Sequence, residues 1–282
     1  MVHFGMRLRQ LMFVLPNLFT VTSIFCGFYA MILCAGSARP EQLYQAALAI
    51  FFAIFFDGFD GRVARLTKTQ SQFGVELDSL ADVISFGVAP AILVYKWALS
   101  PLGLGGILIC FAYTACGALR LARFNVIARR SAHGGGARFF VGLPIPLAAG
   151  VLISVVIAHH STQGEPLGSW AHLPVAVGLG LLSLLMVSNF RYRTFKDIHP
   201  STATLIAFGM ICAAGMLIAK LSHPAYVLVA YFSLYLLLGL FESAIAAARR
   251  LLVDRFSPAG GDHNRVGIES EESGEIEQED FL

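Results

Sequence analysis

Stretches of roughly twenty mostly apolar residues recur eight times along the chain, at about 15–35, 43–65, 74–96, 102–122, 139–159, 171–189, 201–220 and 224–248. About twenty apolar residues is the length of α-helix needed to cross the hydrocarbon core of a bilayer. Lipid offers backbone amides and carbonyls no partner, so a helix is what such a stretch must become. The pattern predicts an all-α polytopic membrane protein of about eight transmembrane helices. Composition agrees: 56% of the 282 residues are hydrophobic and only 13% are charged, against about 25% charged in soluble domains. Mean hydropathy is +0.69. Arg7 and Arg9 precede the first run as they would in a signal peptide, but no small-residue cleavage site follows. The first run is therefore expected to stay as a span.

The charges are segregated, which makes the net value of +2 uninformative. With eight spans and a cytoplasmic N-terminus, 17 of the 20 Lys and Arg fall on cytoplasmic segments or span ends, leaving Arg39, Lys96 and Lys220 outside. Positive charge is retained on the cytoplasmic side during insertion, so both termini are expected there. Half of the acids lie from Asp254 onward. Ser257-Pro258-Ala259-Gly260-Gly261 breaks the last helix, and the predicted division is a membrane domain over 1–256 and an acidic disordered tail over 257–282. The five cysteines, Cys26, Cys34, Cys110, Cys116 and Cys212, all sit in apolar runs without a CxxC pair. They are expected as small hydrophobes, not as a disulfide frame or zinc site.

The chemistry is concentrated in DGFDGRVARLTKTQSQFGVELDSLAD, from Asp57 to Asp82. Asp57 and Asp60 are i,i+3 on the second span, Asp78 and Asp82 i,i+4 on the third, so each pair shares a helix face. The short turn between them lets the two faces meet. Counting from Gly74, Asp78 and Asp82 lie about 6 and 12 Å along their helix, below the membrane surface but within reach of cytoplasmic water. Four clustered carboxylates repel one another unless a cation neutralises them, and idle charges at this depth are costly. Hard divalent cations take oxygen ligands together with substrate phosphates. The cluster thus predicts Mg²⁺ or Mn²⁺, one or two ions, and a phosphate-bearing substrate. Gly58, Gly61 and Ala64 are small enough for a ligand or helix to come close. Arg65 stands one turn from Gly61 with a fork of donors for phosphate, and Gly74 is expected as the turn residue that begins the next helix.

The spacing D-x-x-D-G-x-x-A-R, eight residues, G, three residues, D, three residues, D resembles the signature of the CDP-alcohol phosphatidyltransferase family. Asp57, Asp60, Gly61, Ala64, Arg65, Gly74, Asp78 and Asp82 carry it without departure. The resemblance implies that Asp57, Asp60, Asp78 and Asp82 hold two metal ions, and that Asp82 also takes the acceptor's proton. It implies that Gly61, Arg65 and Ser71 contact the CDP part of a CDP-diacylglycerol substrate. Pro16-Asn17-Leu18-Phe19-Thr20 resembles a further nucleotide contact, making Asn17 and Thr20 candidates; a plain helix start explains the same residues equally well.

Leu119 to Asn125, Phe140 to Pro146 and Ser188 to Arg193 resemble the family members that use L-serine as acceptor. Arg120 and Arg123, i,i+3 and followed by Asn125, are candidates to hold the serine carboxylate; a positive anchor at the membrane surface is the competing reading. Glycerol 3-phosphate and inositol phosphate remain open as acceptors. The resemblance also implies a bacterial cytoplasmic membrane location with the site facing the cytoplasm, contact with membrane lipid, a homodimer, and no nucleic-acid partner. A cation transporter, the alternative from another class, tends to have broken helices near the midplane and repeats; no repeat is visible, and this cluster lies near one surface beside an arginine that would repel a cation. A non-enzymatic scaffold would leave the four acids unexplained. His159 and His160 fall on the far side and receive no catalytic role.

Overall fold

The computed structural model describes residues 2–36, 39–67, 69, 71–132, 140–162, 167–188, 191–192, 220 and 223–239. All of them belong to the first of two contact units, Met1–Ala244; the second, Ile245–Leu282, contains the expected tail and lies outside the described residues.

Among the described residues the chain is helical apart from one short ribbon. Helices α1 (Val2–Cys34) and α2 (Pro40–Leu66) lie along one another. Next comes a continuous rod from Gln72 to Leu102, made of α3 (Gln72–Asp82), a wide turn (Val83–Val88), α4 (Ala89–Val94) and a second wide turn (Tyr95–Leu99) ending in Ser100–Leu102. Helix α5 (Leu104–Ala132) packs on α7 (His172–Val187), and α6 (Ile145–Thr162) packs on α2. The last described helix is α8 (Ala225–Gly239). Five stretches are long and apolar enough to cross a membrane: Asn17–Cys34, Gln72–Leu102, Leu104–Ala128, Ile145–Thr162 and Ser169–Val187. They match the first, third, fourth, fifth and sixth apolar runs. Helix α2 has 27 residues but is not one of the five, and α8 is shorter than a full crossing. Of the seventh run only Lys220 is described.

Local chemistry explains the helix starts. Pro40 opens α2, where its missing N–H costs nothing, and the Gln42 side chain accepts the Arg39 N–H at 2.9 Å. The Ser71 hydroxyl accepts the Gly74 N–H at 3.0 Å and caps α3. The fifth run was expected to be helical from 139, but α6 begins at Ile145. Phe140–Val141 instead pairs antiparallel with Arg191–Tyr192. Gly142 follows with φ 86°, and a Cβ there would strike the Met186 carbonyl. Pro144 disfavours helix in Leu143 before it, and the Leu143 N–H donates to Leu185 O at 3.1 Å. Two of the stretches that resemble serine-using enzymes, about fifty residues apart, are thus joined at one place in the fold.

The wide turns of the rod are i→i+5 segments, which leave carbonyls without their usual α-helical partners. For the first of them helix α5 supplies donors: the Tyr113 hydroxyl donates to Phe86 O at 3.1 Å and Thr114 Oγ1 to Gly87 O at 3.2 Å.

The two ends of the bundle differ. At one end Lys96 Nζ donates to Gly36 O at 2.9 Å, Tyr44 stacks on His160 and Trp97 meets His159 edge-on. His172 Nδ1 lies 2.6 Å from Ala98 O. At the other end stand the four aspartates, the Asn125–Ser79 bond and the ribbon. Asp57 is thirteen residues beyond Tyr44 on α2, about 20 Å away along the axis.

Candidate active site

The acidic faces of α2 and α3 meet. One carboxylate oxygen from each of Asp57, Asp60 and Asp78 lies within 4.8 Å of the other two. Asp82, one turn beyond Asp78, stands beside Asp57, Asp78 and Arg120. Two oxygens of this group, Asp57 Oδ1 and Asp82 Oδ1, are buried without a hydrogen-bond partner, and so is Arg120 Nε. Buried carboxylate oxygens with nothing to accept are costly to leave so. A divalent cation would satisfy such oxygens, and hard oxygen donors are the set that Mg²⁺ and Mn²⁺ take. The residues present therefore fit such an ion, with Asp57, Asp60 and Asp78 as its core.

A cleft of about 320 Å³ opens directly onto this cluster. It is lined by Asn17 and Thr20 of α1, Asp60, Gly61, Ala64 and Arg65 of α2, and Thr69, Ser71, Gly74, Val75 and Asp78 around the start of α3. All five residues singled out for the CDP part, Asn17, Thr20, Gly61, Arg65 and Ser71, are brought together on its walls. Gly61 has open space where a Cβ would stand, as does Gly58, which does not line the cleft. Arg65 Nε donates to Gly61 O at 2.9 Å, which steers its remaining guanidinium donors along the cleft wall.

Two expectations change. Gly74 is not a turn residue but sits inside the first turn of α3. Its lack of a side chain lets Ser71 Oγ and Asn17 Oδ1 converge: an added Cβ would lie 3.2 and 3.4 Å from them. Asn125 does not line the cleft; its Nδ2 donates to Ser79 Oγ at 3.0 Å and ties α5 to α3. Arg120 and Arg123 also lie off the cleft and differ from each other. Arg120 is 8% exposed and beside Asp82, whereas Arg123 is exposed. Asn189, Phe190 and Arg193 lie outside the described residues.

Sequence reasoning missed a buried polar seam beneath the cluster. Thr20 Oγ1 donates to Asp60 Oδ2 at 2.8 Å. One turn deeper, Ser23 Oγ donates to Ala53 O at 3.2 Å and Ser85 Oγ donates to Ser23 O at 3.0 Å. The i,i+3 spacing of Thr20 and Ser23 was the available signal, since two hydroxyls on one face of an apolar helix call for partners.

The family model for CDP-alcohol phosphatidyltransferases matches residues 13–184, which runs from within α1 through most of α7 and takes in every residue of the cluster and cleft. The chain belongs to the CDP-alcohol phosphatidyltransferase family. Within that family it is similar to the CDP-diacylglycerol–serine O-phosphatidyltransferase of Helicobacter pylori (strain ATCC 700392 / 26695), with 34% identity over 82% of this chain and 91% of the relative. The enzyme of the same name from Bacillus subtilis (strain 168) is 35% identical over 64% of this chain and 91% of its own length. The archaetidylserine synthase of Methanothermobacter thermautotrophicus is 36% identical over 67% of this chain and 73% of its own.

Proposed function

We propose that this chain transfers a phosphatidyl group from CDP-diacylglycerol to L-serine, releasing CMP and forming phosphatidylserine. The observation that carries this reading is the cleft whose walls join Asn17, Gly61, Arg65 and Ser71 to the edge of the carboxylate trio. The names of the three relatives support serine as the acceptor.

The nucleotide end of the donor lies along the cleft, with Arg65 offering its guanidinium donors to phosphate. Asp57, Asp60, Asp78 and Asp82 would hold two Mg²⁺ or Mn²⁺ ions, which when bound neutralise the attacking and leaving oxygens of the displacement. Asp82 accepts the proton of the serine hydroxyl. The hydroxyl oxygen forms a new bond to the β-phosphorus, and the bond from that phosphorus to the CMP oxygen breaks, its electron pair leaving with CMP. Arg120 is placed to take the serine carboxylate. In serine that carboxylate is separated from the hydroxyl by only two carbons, so a group that binds it must stand beside the base, as Arg120 does. Arg123, exposed one turn on, has the weaker claim.

The sidedness belongs to the same proposal. Eight spans with both termini cytoplasmic place the aspartates toward the cytoplasm, in a bacterial cytoplasmic membrane. The Tyr44, Trp97, His159 and His160 group then lies at the opposite interface, where aromatic side chains are favoured. The domain division at 256/257 and a homodimer are carried with it.

The test is transfer by purified protein in detergent, from CDP-diacylglycerol to labelled serine, glycerol 3-phosphate or inositol phosphate offered separately, with and without EDTA. Metal-dependent labelling of lipid by serine alone is expected. Label from another acceptor would void the assignment of Arg120, and no CMP release with any acceptor would overturn the activity.

A further inference from the structure

The Thr20–Asp60 bond joins two buried side chains 40 residues apart, 4% and 6% exposed respectively. An ionised carboxylate only accepts hydrogen bonds, so the threonine hydroxyl is committed as donor. A carboxylate has about four lone-pair directions; this bond occupies one of them on Oδ2 and fixes the rotation of the group. Asp60 in turn belongs to the trio whose oxygens converge within 4.8 Å. Thr20 is itself held in place, because Ser23 on the same face of α1 is bonded to both α2 and the rod.

We propose that Thr20 is a positioning residue that sets the affinity of the carboxylate trio for a divalent cation by fixing the orientation of Asp60, and does not act by reading the nucleotide. This rests on the trio binding a cation, as in the function proposed above. Partners that orient a ligating carboxylate typically alter metal affinity 10- to 100-fold when removed.

The experiment is Mn²⁺ titration of the purified full-length protein in detergent without substrate, with bound ion read from loss of the free-ion electron paramagnetic resonance signal. Thr20→Val is expected to weaken Mn²⁺ binding about 10- to 100-fold, while Thr20→Ser, which keeps the donor, stays within about threefold of wild type. On an Asp60→Asn background Thr20→Val should cause no further loss, because Thr20 acts through Asp60. Thr20→Ala is judged by the same criterion, so a valine variant that does not fold leaves the question answerable. Unchanged Mn²⁺ affinity in a folded Thr20 variant, with a raised KM for CDP-diacylglycerol, would overturn the proposal in favour of a nucleotide contact. A wild-type protein that binds no Mn²⁺ would instead remove the metal reading beneath it, which separates the two failures.

Discussion

Asp82 is the carboxylate for which the surroundings differ most from those of its three neighbours. It lies outside the converging trio, next to Arg120, with Oδ1 buried and free of partners. Asp82→Asn preserves size but removes the acceptor for a proton. General-base catalysis is worth about 10²- to 10⁴-fold, so transfer should fall by that order while CMP still binds within a few-fold of wild type, measured by equilibrium binding beside the transfer assay. Full activity in this variant would remove Asp82 from the base role. The arginines make a second, graded test. Arg120→Ala should raise the KM for serine at least tenfold, about 1.4 kcal/mol, with little change for CDP-diacylglycerol; Arg123→Ala should do much less. Equal effects on both substrates would argue against a carboxylate contact. At this scale the four acids were legible because helical spacing alone puts each pair on a face. The partner of Thr20 was not legible, since a contact across 40 residues depends on how α1 and α2 pack.

Helix α1 acts as a strut between the two acid-bearing elements. Its hydroxyls at Thr20 and Ser23 donate to α2, the Ser23 carbonyl accepts the Ser85 hydroxyl from the rod, and Gly27 continues the same row. A Cβ at Gly27 would come within 2.8 Å of Ser85 Cα. Because the obstructing atom is backbone, no rotamer change relieves it and the helices must separate. Gly27→Ala is expected to destabilise the protein by about 1–3 kcal/mol, the usual cost of overpacking, seen as a lowered thermal midpoint in detergent. Ser85→Ala should not rescue it, because the Cα remains. Rescue by that change would mean the contact is made by the hydroxyl alone. Helix positions were largely readable from apolar run length. The start of α6 was not, because the run continues through Gly142, whose φ of 86° ends any helix there. The wide turns of the rod were equally hidden: the first depends on Tyr113 and Thr114 of another helix to satisfy carbonyls it releases.

Across the whole molecule, the contacts sort helix ends into two groups without reference to any bilayer. The ends near Gly36, Tyr44, Lys96, Ala98 and His160 gather together, and those near Asn17, Gly74, Asn125 and the ribbon gather opposite. Alternation of this kind is what successive antiparallel crossings require, and it is consistent with the proposal that α2 belongs to the series although it is not among the five candidate spans. The proposed sidedness rests on charge: Arg62, Arg65, Arg120 and Arg123 all belong to the aspartate end, and positive-inside retention favours the cytoplasm for such an end. Single cysteines in a cysteine-free background test this in intact cells with a membrane-impermeant maleimide. A cysteine replacing Leu66, an exposed residue at the aspartate end, should be protected until the membrane is opened. A cysteine replacing Ser169, at the opposite end before α7, should be labelled from outside. Labelling of both from one side would break the alternation and with it the eight-span count, whereas a clean exchange of the two results would keep the bundle and place its active site outside the cell, away from a cytoplasmic supply of the nucleotide-linked lipid.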